Sequence, residues 1–127
     1  MPKQTLAILP EIFVIHSLPD DATIPAEVFK APVYFIGKTN EELSLVVPET
    51  IKIDSDDKDS GWIALEVLGP LNLSMVGIMS QIGGVLAAAK VSIFVLSTFE
   101  TDFFLVKQND LETASTALIE SGYKVQK

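Results

Sequence analysis

The sequence predicts an α+β fold in which strands and helices follow one another in the order βαββαβ. Three apolar runs rich in β-forming residues, at 62–68, 91–96 and 103–106, have the length and composition of largely buried strands. Two further stretches, 75–89 and 111–118, carry apolar residues at helical spacing. Elements in this order pack as an antiparallel sheet with both helices on one face, so we expect a two-layer unit around one core.

The first helix follows a break in the chain after residue 68. Gly69-Pro70-Leu71-Asn72 ends the strand, and either Asn72 or Ser74 is expected to cap the helix that comes next. The predicted core face of this helix consists of Met75, Ile78, Met79, Ile82, Leu86 and Ala89. A second face of small residues, expected to pack on another helix, consists of Gly77, Ser80, Gly84 and Ala88.

The rest of the unit contains a hairpin, a second helix and a short final strand. Asn109 or Asp110 is expected to cap the second helix, and Asn109 with Glu112 has capping-box spacing. Gly122 is predicted to end this helix at the position C′, before a last strand at 123–126. The inward face of the helix is expected to carry Leu111, Ala114 and Leu118.

The N-terminal half shows the same pattern of strands and breaks, displaced by 60 residues. Residues 6–10 align with 66–70, 33–36 with 93–96, and 42–46 with 102–106. The first copy is shorter, because the residues between Pro48 and Gly61 are too few for both a helix and a strand, and only a short helix near 26–30 fits after its first strand. We therefore divide the chain into a shortened unit at 1–60, which ends in an acidic linker at 54–60, and a full unit at 61–127.

The composition limits the classes of function that are open to the chain. Its 127 residues are 48% hydrophobic, which is enough for a buried core, and the absence of cysteine excludes thiol catalysis and disulfides. Nine lysines, no arginine and 17 acidic residues give a net charge of −8, which argues against binding nucleic acid. The start of the chain lacks a signal-peptide pattern, and Pro70 interrupts the uncharged stretch between Glu66 and Lys90. We therefore expect a cytoplasmic protein without a membrane span.

The Asp-rich segment 54–60 raises the possibility of a calcium site. A calcium loop that starts at Asp56 places Gly61 at the expected sixth position, but it puts Lys58 at position three and Val67 at position twelve, where ligands are required. A solvated linker is therefore the preferred interpretation, and no metal site is predicted.

His16 is the only histidine of the chain, so any histidine chemistry depends on it. It is either a general base near Asp20 or Asp21 or, in the interpretation that we prefer, a residue at the end of a strand whose ring is hydrogen-bonded. The chain contains neither a nucleotide-binding loop nor a nucleophile motif. We therefore predict no catalytic residue and no cofactor.

Two segments of the C-terminal half have the chemistry to hold a small ligand. The start of the first helix, after Gly69, offers free N–H groups that suit a carboxylate even without arginine. The hairpin at 97–102 offers carboxylates that suit an ammonium group. Together they fit a free amino acid, but the alternative stays open that Asn72 or Ser74 only caps the helix and that Asp102 only begins a strand.

Three segments of the C-terminal half read Val76-Gly77-Ile78-Met79-Ser80-Gln81, then Val91-Ser92-Ile93, then Leu96-Ser97-Thr98-Phe99-Glu100. Together they resemble the ACT domain of aspartokinase regulatory regions. The longer strings at 69–78 and 93–106 are similar to small bacterial proteins with tandem ACT domains and to the ACT modules of CASTOR-type arginine sensors. The resemblance covers 61–126 well and 4–50 more loosely, through the string at 41–49.

This resemblance implies a ferredoxin-like regulatory module that binds an amino acid without catalysis, in two tandem units and often as a homodimer whose sheets join side by side. In similar proteins the ligand lies at an interface between ACT units, held by the first strand-to-helix loop of one unit, here 69–74, and by the second and third strands of its neighbour, here 97–102. Asp102 matches an acidic position near the ligand amine. The kinase domain of aspartokinase is missing, so the regulated partner is not indicated, and a structural or assembly module with a vestigial site is the alternative. The implied ligand-binding residues are Gly69, Leu71, Asn72, Leu73, Ser74, Ser97, Thr98, Glu100 and Asp102.

Overall fold

The computed structural model describes residues 3–68 and 77–127, and these residues form seven β-strands and two α-helices. The chain forms two compact units, one made of Met1–Pro10 with Ile63–Lys127 and the other of Glu11–Trp62. The elements are β1 (Thr5–Leu18), a 3₁₀ helix (Ala26–Lys30), β2 (Phe35–Lys38), β3 (Leu43–Pro48), β4 (Asp57–Leu68), α1 (Ile78–Ala88), β5 (Phe94–Ser97), β6 (Asp102–Lys107), a 3₁₀ turn (Gln108–Asp110), α2 (Leu111–Glu120) and β7 (Lys124–Gln126).

The first of these units contains a mixed sheet with the strand order β7-β1-β4-β6-β5. β5 and β6 form an antiparallel hairpin, in which Ser97 stands opposite Asp102. β7 runs parallel to the start of β1, with Thr5 opposite Lys124, so the expectation of a purely antiparallel sheet is wrong. The reason is that β1 contributes a buried strand to this unit, through the fully buried Leu6, and β7 pairs with that strand.

One apolar core joins this sheet to both helices. Leu65 and Val67 of β4 lie two residues apart and therefore point to the same face of the sheet. Both helices contribute to the same core, which confirms that they pack on one face. The fully buried helical side chains in it are Ile82, Leu86, Ala114 and Leu118.

Helix α1 begins later than the sequence predicted. Its first residue is Ile78, because Gly77 before it adopts a left-handed backbone with φ of +83° and so cannot continue a helix. The predicted caps Asn72 and Ser74, and Met75 of the predicted core face, lie outside the described residues. Met79 is 41% exposed, so its assignment to the core is wrong: one residue beyond Ile78, it points about 100° away around the helix.

The start of α2 also differs from the expectation. Asp110 occupies the N-cap position with φ of −100° and ψ of −1°, and its side chain makes no capping hydrogen bond. Asn109 lies in the preceding 3₁₀ turn, so the predicted capping box with Glu112 does not form. A capping side chain requires an extended backbone at the cap residue, and the 3₁₀ turn replaces that conformation.

The second unit is built on the end of β1 and the hairpin of β2 and β3. β3 pairs antiparallel with both β1 and β2, and the 3₁₀ helix confirms the predicted short helix. Its core consists of Val28, Leu43, Leu45, Val47 and Ile53. The predicted linker 54–60 is wrong from Asp57 onward, because β4 starts there. The exposed side chains of 57–60 suit a strand whose backbone is paired while its polar side chains stay in water.

Neither α-helix in the described parts of the chain has the length and apolar content that crossing a membrane requires.

Candidate functional site

The hairpin of β5 and β6 brings together two of the predicted ligand-binding residues. Ser97 ends β5 and Asp102 begins β6, and the Ser97 hydroxyl donates to Oδ1 of Asp102 at 2.6 Å. Among the described residues Oδ2 of Asp102 has no hydrogen-bond partner. This oxygen is the free acceptor of a carboxylate that is already fixed in orientation by its neighbour.

The side chain of Thr98 forms part of the turn between β5 and β6. Its Oγ1 accepts hydrogen bonds from the N–H groups of Glu100 at 3.3 Å and Thr101 at 3.2 Å, and its own N–H donates to the Thr101 carbonyl at 2.8 Å. The hydroxyl therefore takes the place of backbone acceptors and closes a tight loop between the strands.

Glu100 lies in the turn and not in β6, so it does not share a strand face with Asp102. Its carboxylate is exposed and makes no hydrogen bond with the described residues. The described residues therefore hold the carboxylate of Asp102 through Ser97, but they do not hold that of Glu100.

The other predicted ligand-binding residues, Gly69, Leu71, Asn72, Leu73 and Ser74, lie outside the described residues. The geometry of the predicted carboxylate-binding segment is therefore still an expectation from the sequence.

The turn of the first hairpin, between β2 and β3, repeats the turn of the second hairpin, between β5 and β6. The sequence analysis did not predict this repeat. Oγ1 of Thr39 accepts from the N–H groups of Glu41 and Glu42, both at 3.1 Å, and the Thr39 N–H donates to the Glu42 carbonyl at 2.9 Å. The signal in the sequence is a threonine two residues before a glutamate, at 39–41 and again at 98–100. This places the hairpins 59 residues apart, one fewer than the spacing used to align the two halves.

The two hairpins differ at the positions that would touch an ammonium group. By the spacing of the turns, Lys38 corresponds to Ser97 and Leu43 corresponds to Asp102. Leu43 is only 3% exposed and belongs to the core of its unit. At these two positions the first hairpin has a lysine and a buried leucine, whereas the second hairpin has a hydroxyl and a carboxylate.

His16 is buried in β1 and is hydrogen-bonded through one ring nitrogen. Its Nδ1 lies 2.6 Å from Oγ of Ser55, whereas Nε2 is buried without a partner among the described residues. Burial, with a smaller contribution from the positive charge of Lys58, lowers the pKa of His16 below its ordinary value. The ring is therefore neutral at pH 7. The preferred interpretation, a hydrogen-bonded ring near the end of a strand, holds for Nδ1 through Ser55, and the alternative of a general base beside Asp20 or Asp21 has no such contact among the described residues.

An acidic pocket of about 420 Å³ lies near this histidine, within the unit of Glu11–Trp62. Its wall carries Ser17, Leu18, Pro19, Glu41, Glu42, Asp54, Ser55, Asp56 and Asp57. No three histidine or carboxylate side chains in the described parts of the chain lie close enough to share a metal ion.

A shallow groove of about 710 Å³ runs along the outer faces of α1 and α2. Gly84 and Ala88 of the predicted small-residue face line it, and Ala117 and Glu120 face them from α2. Gly84 and Ala88 therefore border an open groove beside the second helix, whereas Gly77 and Ser80 of the same predicted face are not among its lining residues.

Comparison with known proteins identifies relatives at the level of sequence and of fold. A family model described as an ACT domain matches residues 57–120. An Agrobacterium tumefaciens protein of known crystal structure is 31% identical, with a TM-score of 0.90 over 100% of this chain and 96% of its own. The regulatory subunit of aspartate kinase from Thermus thermophilus has a TM-score of 0.63 at 12% identity, over 90% of this chain and 96% of its own, and this likeness concerns the fold alone.

A curated relative from the mouse is named cytosolic arginine sensor for mTORC1 subunit 1. It is 29% identical over 120 residues, which cover 87% of this chain and 36% of the relative. The rat protein of the same name is 30% identical over the same shares of both chains. The chain therefore spans about a third of the length of the curated relatives that it matches.

Proposed function

Because this chain belongs to the ACT domain family, we propose that it is a regulatory protein that binds a free amino acid and acts through its own oligomer or a partner, without catalysis. The observation that carries the proposal is the pair of Ser97 and Asp102. A carboxylate that accepts one hydroxyl and keeps Oδ2 free has the chemistry to bind an ammonium group. The name of the mouse and rat relatives places arginine first among the ligands to test.

The proposed binding mode uses both ends of the amino acid. The ammonium group donates to Asp102, and backbone N–H groups around Asn72 to Ser74 hold the carboxylate. The net charge of −8 and the lack of arginine favour backbone groups over a cationic side chain for this second role.

A thermal-shift screen against the twenty amino acids tests the function as a whole. We expect at least one of them to raise the melting temperature in a concentration-dependent way, since a ligand that binds only the folded state stabilises it. If none of them does so, the chain is better explained as an assembly module with a vestigial site.

The role of Asp102 is tested by calorimetry on the Asp102→Asn variant with the best ligand of the screen. The substitution keeps the shape and removes the charge, so affinity is expected to fall by roughly 10- to 150-fold, as a charge-assisted hydrogen bond contributes about 1.5–3 kcal/mol. Glu100→Gln is the matched control, which removes a charge two residues away and is expected to bind like the parent. The reverse result would make Glu100 the acceptor.

A further inference from the structure

The outer face of α1 is exposed to solvent but carries no charge. The exposed residues of this helix are Met79, Ser80, Gln81, Gly84, Ala87 and Ala88. At the 20% of charged residues that the whole chain contains, a helix of 11 residues would carry about two charges. Helix α2, which has 10 residues, carries Glu112 and Glu120. A surface helix normally has charged side chains on its outer face, so the uncharged face of α1 indicates a surface that another molecule covers.

Gly84 lies in the interior of α1, and packing within the chain does not explain it. Glycine destabilises the interior of a helix relative to alanine, because it loses more conformational freedom on folding. A Cβ atom at Gly84 would have no heavy atom of the described residues within 4 Å, apart from the helix backbone around it. The described parts of the chain therefore do not require a glycine here. A missing side chain does, however, permit another backbone to approach closely from outside the chain.

The groove between α1 and α2 is the surface onto which Gly84 opens. Gly84 and Ala88 border it from α1, and Ala117 borders it from α2, so small side chains lie on both sides. Among the described residues that line the groove, the charged ones are Lys3 and Glu120, which have opposite signs. The groove is therefore open, bordered by small residues and without net charge. None of its described lining residues belongs to β5, the edge at which side-by-side sheets would join.

We propose that this groove is the surface through which two copies of the chain dimerise. A two-fold dimer places the same patch of each copy against the other, so the patch has to be compatible with itself. The chain has a net charge of −8, so two copies repel each other wherever acidic surface meets acidic surface. An uncharged helix face that is bordered by one cation and one anion avoids this repulsion. The inference goes beyond the proposed function, because it holds with or without a bound amino acid.

The first test uses Gly84→Gln to separate folding from assembly. Glutamine is a better helix former than glycine and meets open space in the single chain. We therefore expect the melting temperature of the variant to rise by about 2–4 °C over that of the parent, when both are dilute enough to be monomeric. The added side chain keeps the second copy at a distance, so we expect the dissociation constant of the dimer, measured by sedimentation equilibrium, to rise at least about tenfold.

The second test compares two neighbouring alanines, of which Ala88 lines the groove and Ala87 is exposed outside it. Ala88→Lys and Ala87→Lys lower the net negative charge equally, so they change the long-range repulsion between copies by the same amount. Ala88→Lys also brings two positive charges into one interface, and we expect its dimer dissociation constant to rise at least about 100-fold. Ala87→Lys is the matched control and is expected to stay within about threefold of the parent.

Three results would overturn the inference. They are a parent that is monomeric at every concentration, a Gly84→Gln dimer as stable as that of the parent, or equal weakening of the dimer by Ala87→Lys and Ala88→Lys. The first would leave the groove to a different partner, and the third would place the contact on the outside of α1 rather than in the groove. Binding of an amino acid is measured separately by the thermal-shift screen, so failure of the proposed function is distinguishable from failure of this inference.

Discussion

His16 places a titratable ring in the interior with only one nitrogen hydrogen-bonded. Protonation would put a charge on a side chain that is 3% exposed and would leave a second N–H without an acceptor among the described residues. Burial and Lys58 both oppose that charge, which is why the pKa of His16 is lowered. Protonation therefore lowers the free energy of unfolding, because the unfolded chain binds the proton more readily than the folded chain does.

We expect stability to fall as the pH drops through 6.5, the ordinary pKa of the ring, and to become level once the pH lies below the lowered pKa of the folded state. Above 6.5 the ring is neutral in both states and this contribution is constant. Urea unfolding at several values between about pH 5 and 8 measures the slope. His16→Asn replaces Nδ1 with an amide and removes the titration, so its slope should be flatter. Parallel slopes would contradict the assignment.

The two α-helices end with the same hydrogen-bond pattern, but the residues at their C′ positions differ in how readily they adopt a left-handed backbone. In α2, the N–H of Gly122 donates to Ile119 and that of Tyr123 donates to Leu118. In α1, the N–H of Lys90 donates to Ala87 and that of Val91 donates to Leu86. Both patterns are Schellman motifs, which require a left-handed residue at C′. Gly122 meets this requirement at φ of +99° without strain, whereas Lys90 adopts φ of +63° against the preference of a side chain.

Replacing Lys90 by glycine and replacing Gly122 by alanine should therefore change the stability of the protein in opposite directions. Lys90→Gly is expected to stabilise the protein by about 0.5–1 kcal/mol, since the relief of strain exceeds the added freedom of the unfolded chain. Gly122→Ala is expected to destabilise it by about 1 kcal/mol or more. Chemical denaturation with a common slope measures both changes. Destabilisation by Lys90→Gly would show that its side chain contributes more than its backbone strain costs.

The sequence predicted elements wherever a local signal exists. Gly122 predicted the end of α2, and the apolar runs predicted β5 and β6, although the hydrogen bond between Ser97 and Asp102 was not predicted. Lys90 gave no such signal, because lysine is not a typical left-handed residue. Pro10, which the sequence aligns with the break at Pro70, lies inside the single strand Thr5–Leu18. A proline is tolerated in a strand where its missing N–H is not needed for pairing, and that depends on neighbours far away in sequence.

At the scale of the whole molecule, several apolar side chains are left exposed. Phe99 at the tip of the second hairpin is 81% exposed, and Ile119 on α2 is 56% exposed. β5 stands at the end of the strand order in its unit, and sheet edges of this kind are commonly covered by another chain. These features support the expectation of a homodimer, although the division into tandem units at residue 60 stays a prediction.

Light scattering on the purified protein tests the assembly. We expect a mass of about twice the 13.8 kDa of one chain at micromolar concentration, with a shift toward the monomer on dilution. Phe99→Ser, which removes the most exposed aromatic side chain, shows whether the hairpin tip contributes to the contact. A mass near that of one chain at every concentration would rule out the dimer.

The parallel pairing of β1 with β7 has a consequence for the order of events during synthesis. Leu6 and its neighbours are made long before residues 124–126, which pair beside them and leave the ribosome after the other strands of the described residues. All of Glu11–Trp62 is available long before that, so this unit has the opportunity to form first. One edge of β1 meanwhile waits for β7, even after β4 has been made and can pair at the other edge, and closing so long a loop is slow. The nascent chain therefore keeps an unpaired strand edge until β7 is made, and this is the interval in which aggregation competes with folding.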